Sequence, residues 1–267
     1  MKMQNNQNTS YAITHRGAVR QLNEDSHIEL NSHNIWVVAD GMGGHEAGDF
    51  ASQLVIDAIS TEVQQLLIQE VTIEHIVKAI EHANGQLIEH SNKYLGDKTA
   101  GSTVVVLFIK DNTYHVIWVG DSRVYLYRDN HLIQLSRDHS QVNELIANGV
   151  ILESEAKGHP LSNVITRAVG VTAEIDVDFL QDSIQDNDLF LLCSDGLTGE
   201  LSDQEISSVI DPKSIIDSGM ALMHASLVRG AQDNVTCVLV KHDANAQPVD
   251  DLLTERSNER TIPVFKK

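Results

Sequence analysis

Two short stretches of the chain join an apolar run to a carboxylate and a glycine. Ile35-Trp36-Val37-Val38-Ala39 stops at Asp40 and continues as Gly41-Met42-Gly43-Gly44, and Leu189-Phe190-Leu191-Leu192-Cys193-Ser194 stops at Asp195 and continues as Gly196-Leu197. A buried strand that ends on a carboxylate, with a glycine turn beyond it, is a way to build a site for a hard divalent cation. Such ions take oxygen ligands, and glycine lets a backbone carbonyl approach as closely as a side chain. Four more aspartates fall at strand ends or polar turns: Asp25 in Asn23-Glu24-Asp25-Ser26, Asp121 in Gly120-Asp121-Ser122-Arg123, Asp138 in Arg137-Asp138-His139-Ser140, and Asp233 in Gln232-Asp233-Asn234. Each alone is an ordinary turn or cap residue. As a set they border strongly apolar strands, where burying an unpaired carboxylate is costly and a cation would offset the cost. No HxH, HExxH or CxxC spacing occurs, which disfavours zinc and soft metals and leaves Mg²⁺ or Mn²⁺.

The elements that must hold these residues follow from periodicity. Tyr11–Thr14, Ser26–Leu30 and Asn34–Ala39 read as strands, the last nearly all apolar and so central. Ala47–Ile68 changes to helical spacing, and Ile73, Ile76, Val77, Ile80, Ala83, Leu87 and Ile88 form a second amphipathic stripe that Gly96 ends. Strands follow at Thr103–Ile109, Thr113–Val119, Arg123–Arg128 and His131–Leu135, with Asp111-Asn112 and Asp129-Asn130 as hairpin turns. Ser140–Asn148 reads as a helix closed by Gly149. Ile175–Leu180 and Asp188–Cys193 return to strand, Ser214–Arg229 to helix and Asn234–His242 to strand. Mostly antiparallel strands with grouped helices predict an α+β layered sandwich, helices covering two packed sheets.

Composition narrows the function classes. The chain has 267 residues and a formal net charge of −19, a field that disfavours phosphate backbones and anionic lipid, so no nucleic-acid or membrane partner is expected. The N-terminus is polar and no apolar run approaches the ~20 residues of a membrane span, and a cytoplasmic location is expected. Cys193 and Cys237 each lie inside an apolar run and read as buried, reduced thiols.

Taken in order, Arg20-Gln21-Leu22-Asn23-Glu24-Asp25, Asp40-Gly41-Met42-Gly43-Gly44, Gly101-Ser102-Thr103, Gly120-Asp121-Ser122-Arg123, Asp138-His139-Ser140, Asn163 to Gly170, Ser194-Asp195-Gly196-Leu197 and Asp233-Asn234 resemble the metal-dependent PP2C (PPM) serine/threonine protein phosphatases. They look most like the bacterial branch, which acts against kinases of eukaryotic type. The resemblance covers about residues 11–241. It implies a four-layer αββα sandwich, two mostly antiparallel sheets flanked by helix pairs, in a phosphatase domain at 10–242. Residues 1–9 would be a flexible N-terminus, 141–171 a flap beside the site, and 243–267 a polar, disordered tail.

The roles it implies can be placed residue by residue. Asp40 would bridge two metals, with the carbonyl of Gly41 completing the second. Asp195 and Asp233 would hold the first, Glu24 and Asp25 would act on the second directly or through water, and Asp138 with Asp195 would form a third site. Arg20 would grip the substrate phosphate, and Asp121, Ser122, Arg123 and Asn234 would brace the site without ligating. The reaction implied is hydrolysis of phosphoserine and phosphothreonine by a metal-bridging water, with two or three Mn²⁺ or Mg²⁺ ions and no phosphoenzyme. Neither cysteine lies in a phosphate-cradling loop, which argues against thiol catalysis. Some relatives carry a histidine two residues after the bridging aspartate; here that residue is Met42, and His45 or a metal-bound water is left as proton donor. The expected partners are phosphorylated proteins, a cognate Ser/Thr kinase and its substrates, and the protein itself is expected to be a monomer. A partner-switching phosphatase of an anti-sigma antagonist is the nearest alternative. A silent phosphoprotein-binding relative is disfavoured because every acidic ligand is kept.

Overall fold

Strands that are apolar at every position need cover on both faces, and the chain supplies it. The computed structural model describes residues 8–43, 46–156, 159–161 and 164–244. Its strands are β1 (Asn8–His15), β2 (Asp25–Leu30), β3 (Ile35–Met42), β4 (Gly101–Ser102), β5 (Val104–Lys110), β6 (Thr113–Val119), β7 (Arg123–Arg128), β8 (His131–Gln134), β9 (Asp178–Ser183), β10 (Leu189–Cys193) and β11 (Val235–His242). The helices are α1 (Glu46–Gln64), α2 (Ile73–His90), α3 (Gln141–Ala147), α4 (Glu153–Ala156), α5 (Asp195–Glu200), α6 (Asp203–Val209) and α7 (Ile215–Arg229). One sheet has the order β1-β11-β10-β7-β8 and the other β2-β3-β5-β6-β9, with β4 on the end of β3. The paired strands run antiparallel.

Alternate residues of each central strand enter different cores. Ile35, Val37 and Ala39 of β3 meet α1 and α2, while Trp36 and Val38 face the other sheet. In β10, Leu189, Leu191 and Cys193 pack with α5–α7, and Phe190 and Leu192 fill the space between the sheets. Three cores between four layers make an αββα sandwich, and that double cover is why β3, β5, β10 and β11 lack the alternation of a solvent-facing sheet. The fold is the expected one, and its second outer layer is the long α7 with the two short helices α5 and α6.

Local rules explain most boundaries. Asp111, Asn112, Asp129 and Asn130 all have positive φ (49°, 60°, 51° and 63°), as two-residue hairpins that follow the twist of their strands require. Ser140 caps α3 by accepting the Asn143 N–H at 3.3 Å. The first strand starts at Asn8, which pairs with His242, so residues 8 and 9 belong to the sheet and not to a flexible N-terminus. β9 starts at Asp178, later than expected, because Ile175 and Val177 are spent on the helix-side core before the strand forms. The sequence reading missed α5 and α6. The second carries a signal, a capping box in which Ser202 N–H and Oγ donate to Glu205 Oε2 at 2.9 and 2.7 Å. Of the tail, Asp243 and Ala244 are described; residues 245–267 lie outside the described residues. Also among the described residues, no helix is long and apolar enough to cross a membrane.

Candidate metal and phosphate site

The carboxylates gather at one end of the gap between the sheets. β2 and β3 place Asp25 directly opposite Asp40, an arrangement of like charges that destabilises a strand pair left to itself. Asp25 reaches across the gap, its Oδ2 accepting from Ser194 Oγ and Thr236 Oγ1, both at 2.7 Å. Asp195 follows β10 at the head of α5, and Asp233 precedes β11. Gly41 lets the tip of β3, the start of α1 and Glu24 crowd together: a β-carbon there would lie 1.9 Å from the Gly48 carbonyl oxygen and 2.8 Å from that of Glu24.

Hydroxyls and amides brace this frame. Asp40 N–H donates to Thr103 Oγ1 at 3.0 Å, Ser102 Oγ donates to the Asp40 carbonyl at 3.0 Å, and Thr103 Oγ1 shares a 2.7 Å hydrogen bond with Ser122 Oγ. Asn234 ties down the loop that carries Arg20 and Glu24. Its Oδ1 accepts the Glu24 N–H at 2.8 Å, and its Nδ2 donates to the carbonyls of Arg16 and Leu22 at 3.0 and 2.9 Å.

The electrostatics of the group are those of acids forced together. Desolvation, then the charges of Asp25, Asp195, Asp121 and Asp233, push the Asp40 carboxyl well above the usual range. Burial raises Asp25 to about 7 against the pull of the Thr236 and Ser194 hydroxyls, and raises Asp121 to about 7 with help from Asp195. Asp195 is also raised, by burial and then by the charge of Asp233. Glu24 rises through desolvation. Four buried oxygens here, Glu24 Oε1, Asp25 Oδ1, Asp121 Oδ1 and Asp195 Oδ1, have no hydrogen-bond partner. Native folds rarely leave buried polar atoms so.

Both oxygens of Asp138 are engaged: Arg123 Nε donates to them at 2.9 and 3.0 Å, Arg123 Nη2 to Oδ2 at 2.7 Å, and Gln134 Nε2 to Oδ1 at 2.9 Å. Asp138 is thus paired with Arg123 and Gln134, whereas Asp121 keeps an unpartnered oxygen, Oδ1, among the acidic group. The sequence held a signal for this, since Asp121 follows the apolar Val116-Ile117-Trp118-Val119 just as Asp40 and Asp195 follow their runs. Arg20 Nη2 donates to Asp233 Oδ2 at 2.6 Å, while Asp233 Oδ1 accepts the Asn234 N–H at 2.8 Å. His45, offered as proton donor, lies outside the described residues.

Comparison with known proteins identifies the family. Residues 14–239 match the family model described as protein phosphatase 2C. The chain belongs to the protein phosphatase 2C family. It is 35% identical over 237 residues to a serine/threonine phosphatase, stp, of Listeria welshimeri, covering 86% of this chain and 94% of that one. Its fold matches the crystal structure of the Mycobacterium tuberculosis serine/threonine phosphatase PstP/Ppp with a TM-score of 0.82 at 31% identity, over 88% and 99% of the two chains. A structure of the PstP catalytic domain in complex with two manganese ions matches with a TM-score of 0.78 at 30% identity, over 88% and 98%.

The acids of this phosphatase have the chemistry of a site for hard cations. The donors are all oxygen, as hard cations prefer, and orphaned buried carboxylate oxygens await a positive partner. Among the described residues no three of the candidate side chains already enclose one point as a finished cage. Asp233 is turned to Arg20, which is how an acid relieves repulsion with the partner at hand.

Proposed function

We propose that this serine/threonine phosphatase hydrolyses phosphoserine and phosphothreonine in proteins directly, without a phosphoenzyme, at the acidic end of the inter-sheet gap. The observation that carries the reading is the set of four buried, unpartnered carboxylate oxygens on Glu24, Asp25, Asp121 and Asp195. Asp40, Asp195 and Asp233, with the Gly41 carbonyl, would hold two Mn²⁺ or Mg²⁺ ions; Glu24 and Asp25 would act on the second, directly or through water. Asp121 with Asp195 would hold a third, in the role first given to Asp138. Bound there, the ions would supply charge neutralisation for the phosphate dianion and a water acidic enough to attack near neutral pH.

The chain's own groups do the rest. Arg20, on a loop clamped by Asn234, presents a guanidinium at the rim, where it can take a phosphate oxygen in a charge-assisted bond. Thr103, Ser102 and Ser122 fix the backbone of Asp40 so that its carboxylate does not swing away when charge moves. Asp25, held by Ser194 and Thr236, ties the two sheets together beside Asp40. Its substrates must be phosphorylated on serine or threonine, so a cognate Ser/Thr kinase is the partner this reading calls for. The test is release of phosphate from a phosphothreonine peptide with Mn²⁺, before and after excess EDTA. Turnover that survives EDTA would end the proposal.

A further inference from the structure

Asp121 owes its place to a turn, and the turn is held by a histidine. Gly120, just before Asp121, has φ +107° and lies so near Thr103 that a β-carbon would come within 2.6 Å of its side chain. Its backbone exchanges two hydrogen bonds with His139. His139 N–H donates to the Gly120 carbonyl at 2.9 Å, and Gly120 N–H donates to His139 Nδ1 at 3.0 Å. Because Nδ1 accepts, the neutral ring carries its proton on Nε2, which donates to Asp178 Oδ2 at 3.2 Å. Asp178 opens β9 and also accepts from Arg167 Nη1 at 3.1 Å, while the His139 carbonyl accepts the Thr166 N–H at 2.8 Å. The ring itself is buried, stacked beside Trp118.

We propose that His139 is the positioning residue for Asp121: its Nδ1 lone pair holds the Gly120 N–H and so aims the Asp121 carboxylate toward Asp195. The proposal rests on the reading that these two acids hold a cation. A histidine that merely filled space beside Trp118 would need neither a fixed tautomer nor a bond to the residue before a site acid. The two ring nitrogens also have separate duties. Nδ1 sets the turn, and Nε2 joins it through Asp178 to Arg167, where the chain returns from the flap. Loss of a residue that orients a metal-binding group in this way typically costs about 10- to 100-fold in metal affinity.

Two amides separate these duties in the full-length protein. In H139N the amide oxygen can stand where Nδ1 stood and accept from Gly120; in H139Q the longer chain carries the amide toward Asp178 and leaves Gly120 unserved. Calorimetric titration with Mn²⁺ is the readout, alongside melting of the metal-free protein. H139Q is expected to weaken the weakest-bound ion by about 10-fold or more, and D121N to remove that ion. H139N should stay within about threefold of wild type, the tighter ions should be unmoved in all three variants, and adding H139Q to D121N should cost nothing further. Should H139Q not fold, H139S replaces it, with the same loss expected. Wild-type Mn²⁺ binding in H139Q, an equal loss in H139N and H139Q, or a uniform weakening of every ion would overturn the role of His139. Retention of all ions in D121N would instead remove the Asp121 assignment beneath it, and no Mn²⁺ binding by wild type would remove the proposed site altogether.

Discussion

Strand β10 carries an aspartate at each end, and the two are treated in opposite ways. Asp188, just before Leu189, has a fully covered side chain with both oxygens engaged: Arg128 Nε at 2.7 Å, Arg128 Nη2 at 2.6 Å and the Gln185 N–H at 2.8 Å. Asp195, just past Cys193, keeps a buried Oδ1 with no partner. One strand thus delivers a finished structural ion pair to one end of the sandwich and an unfinished acid to the other. Where the fold supplies every partner, the carboxylate serves stability; where it withholds them, the missing partner has to come from outside the chain.

Substitutions at the two ends sharpen the contrast. Asp40→Asn and Asp195→Asn are each expected to cut p-nitrophenyl phosphate turnover with Mn²⁺ by about 10³-fold or more, the loss of several kcal/mol of transition-state stabilisation. The metal-free melting temperature should hold or rise, because a member of a repelling group is gone. Asp188→Asn should do the reverse, leaving Arg128 poorly paired and costing about 3 kcal/mol of stability while the folded enzyme keeps its kcat. Denaturant melts and steady-state kinetics on the same preparations read both quantities. An inactive but stable Asp188→Asn protein would erase the distinction.

The acidic end also sets a pH dependence. Desolvation lifts Asp25 and Asp121 to about 7, whereas in the unfolded chain their carboxyls give up protons near pH 4. Between those values the folded, metal-free protein holds more protons than the unfolded chain, so stability falls as pH rises. Melting of EDTA-treated protein is expected to drop from pH 5 to pH 8, and saturating Mn²⁺ to raise it most at pH 8, where ligand oxygens are free of protons. A metal-free melting temperature that climbs over that range would show that the acids are not held in a desolvated group.

Much of this was legible before any coordinates. Asp40, Asp195 and Asp233 stand out because each adjoins an apolar strand that needs burial on both faces, and the hairpin turns are written in Asp-Asn pairs that tolerate positive φ. What stayed hidden depends on partners far apart in the chain. The apolar run before Asp121 sets it apart from Asp138 only faintly, and it takes the fold to show that Arg123 and Gln134 engage both Asp138 oxygens while Asp121 Oδ1 has no partner. His139 was visible as part of a motif but not as the acceptor for Gly120, since that bond joins two loops 19 residues apart. The short α5 and α6 escaped because six or seven residues hold too little period to outweigh their turn-like composition.

The smallest expected effect concerns Arg20, which among the described residues is the cation paired with a proposed ligand. Its bond to Asp233 joins side chains that are 47% and 38% exposed, so the pair is worth little, on the order of 0.2–1 kcal/mol. That is still enough to matter, because the same guanidinium is proposed for substrate phosphate and the same carboxylate for a metal. A cation that takes Asp233 frees Arg20, and by reciprocity Arg20 must oppose the cation until it is released. Arg20→Ala should therefore raise KM for a phosphopeptide yet tighten Mn²⁺ binding by roughly two- to fivefold. The tightening should fade at high salt, which screens exposed pairs, and be absent in an Asp233→Asn background. Weaker Mn²⁺ binding in Arg20→Ala would mean that the arginine holds Asp233 ready for the metal instead of competing with it.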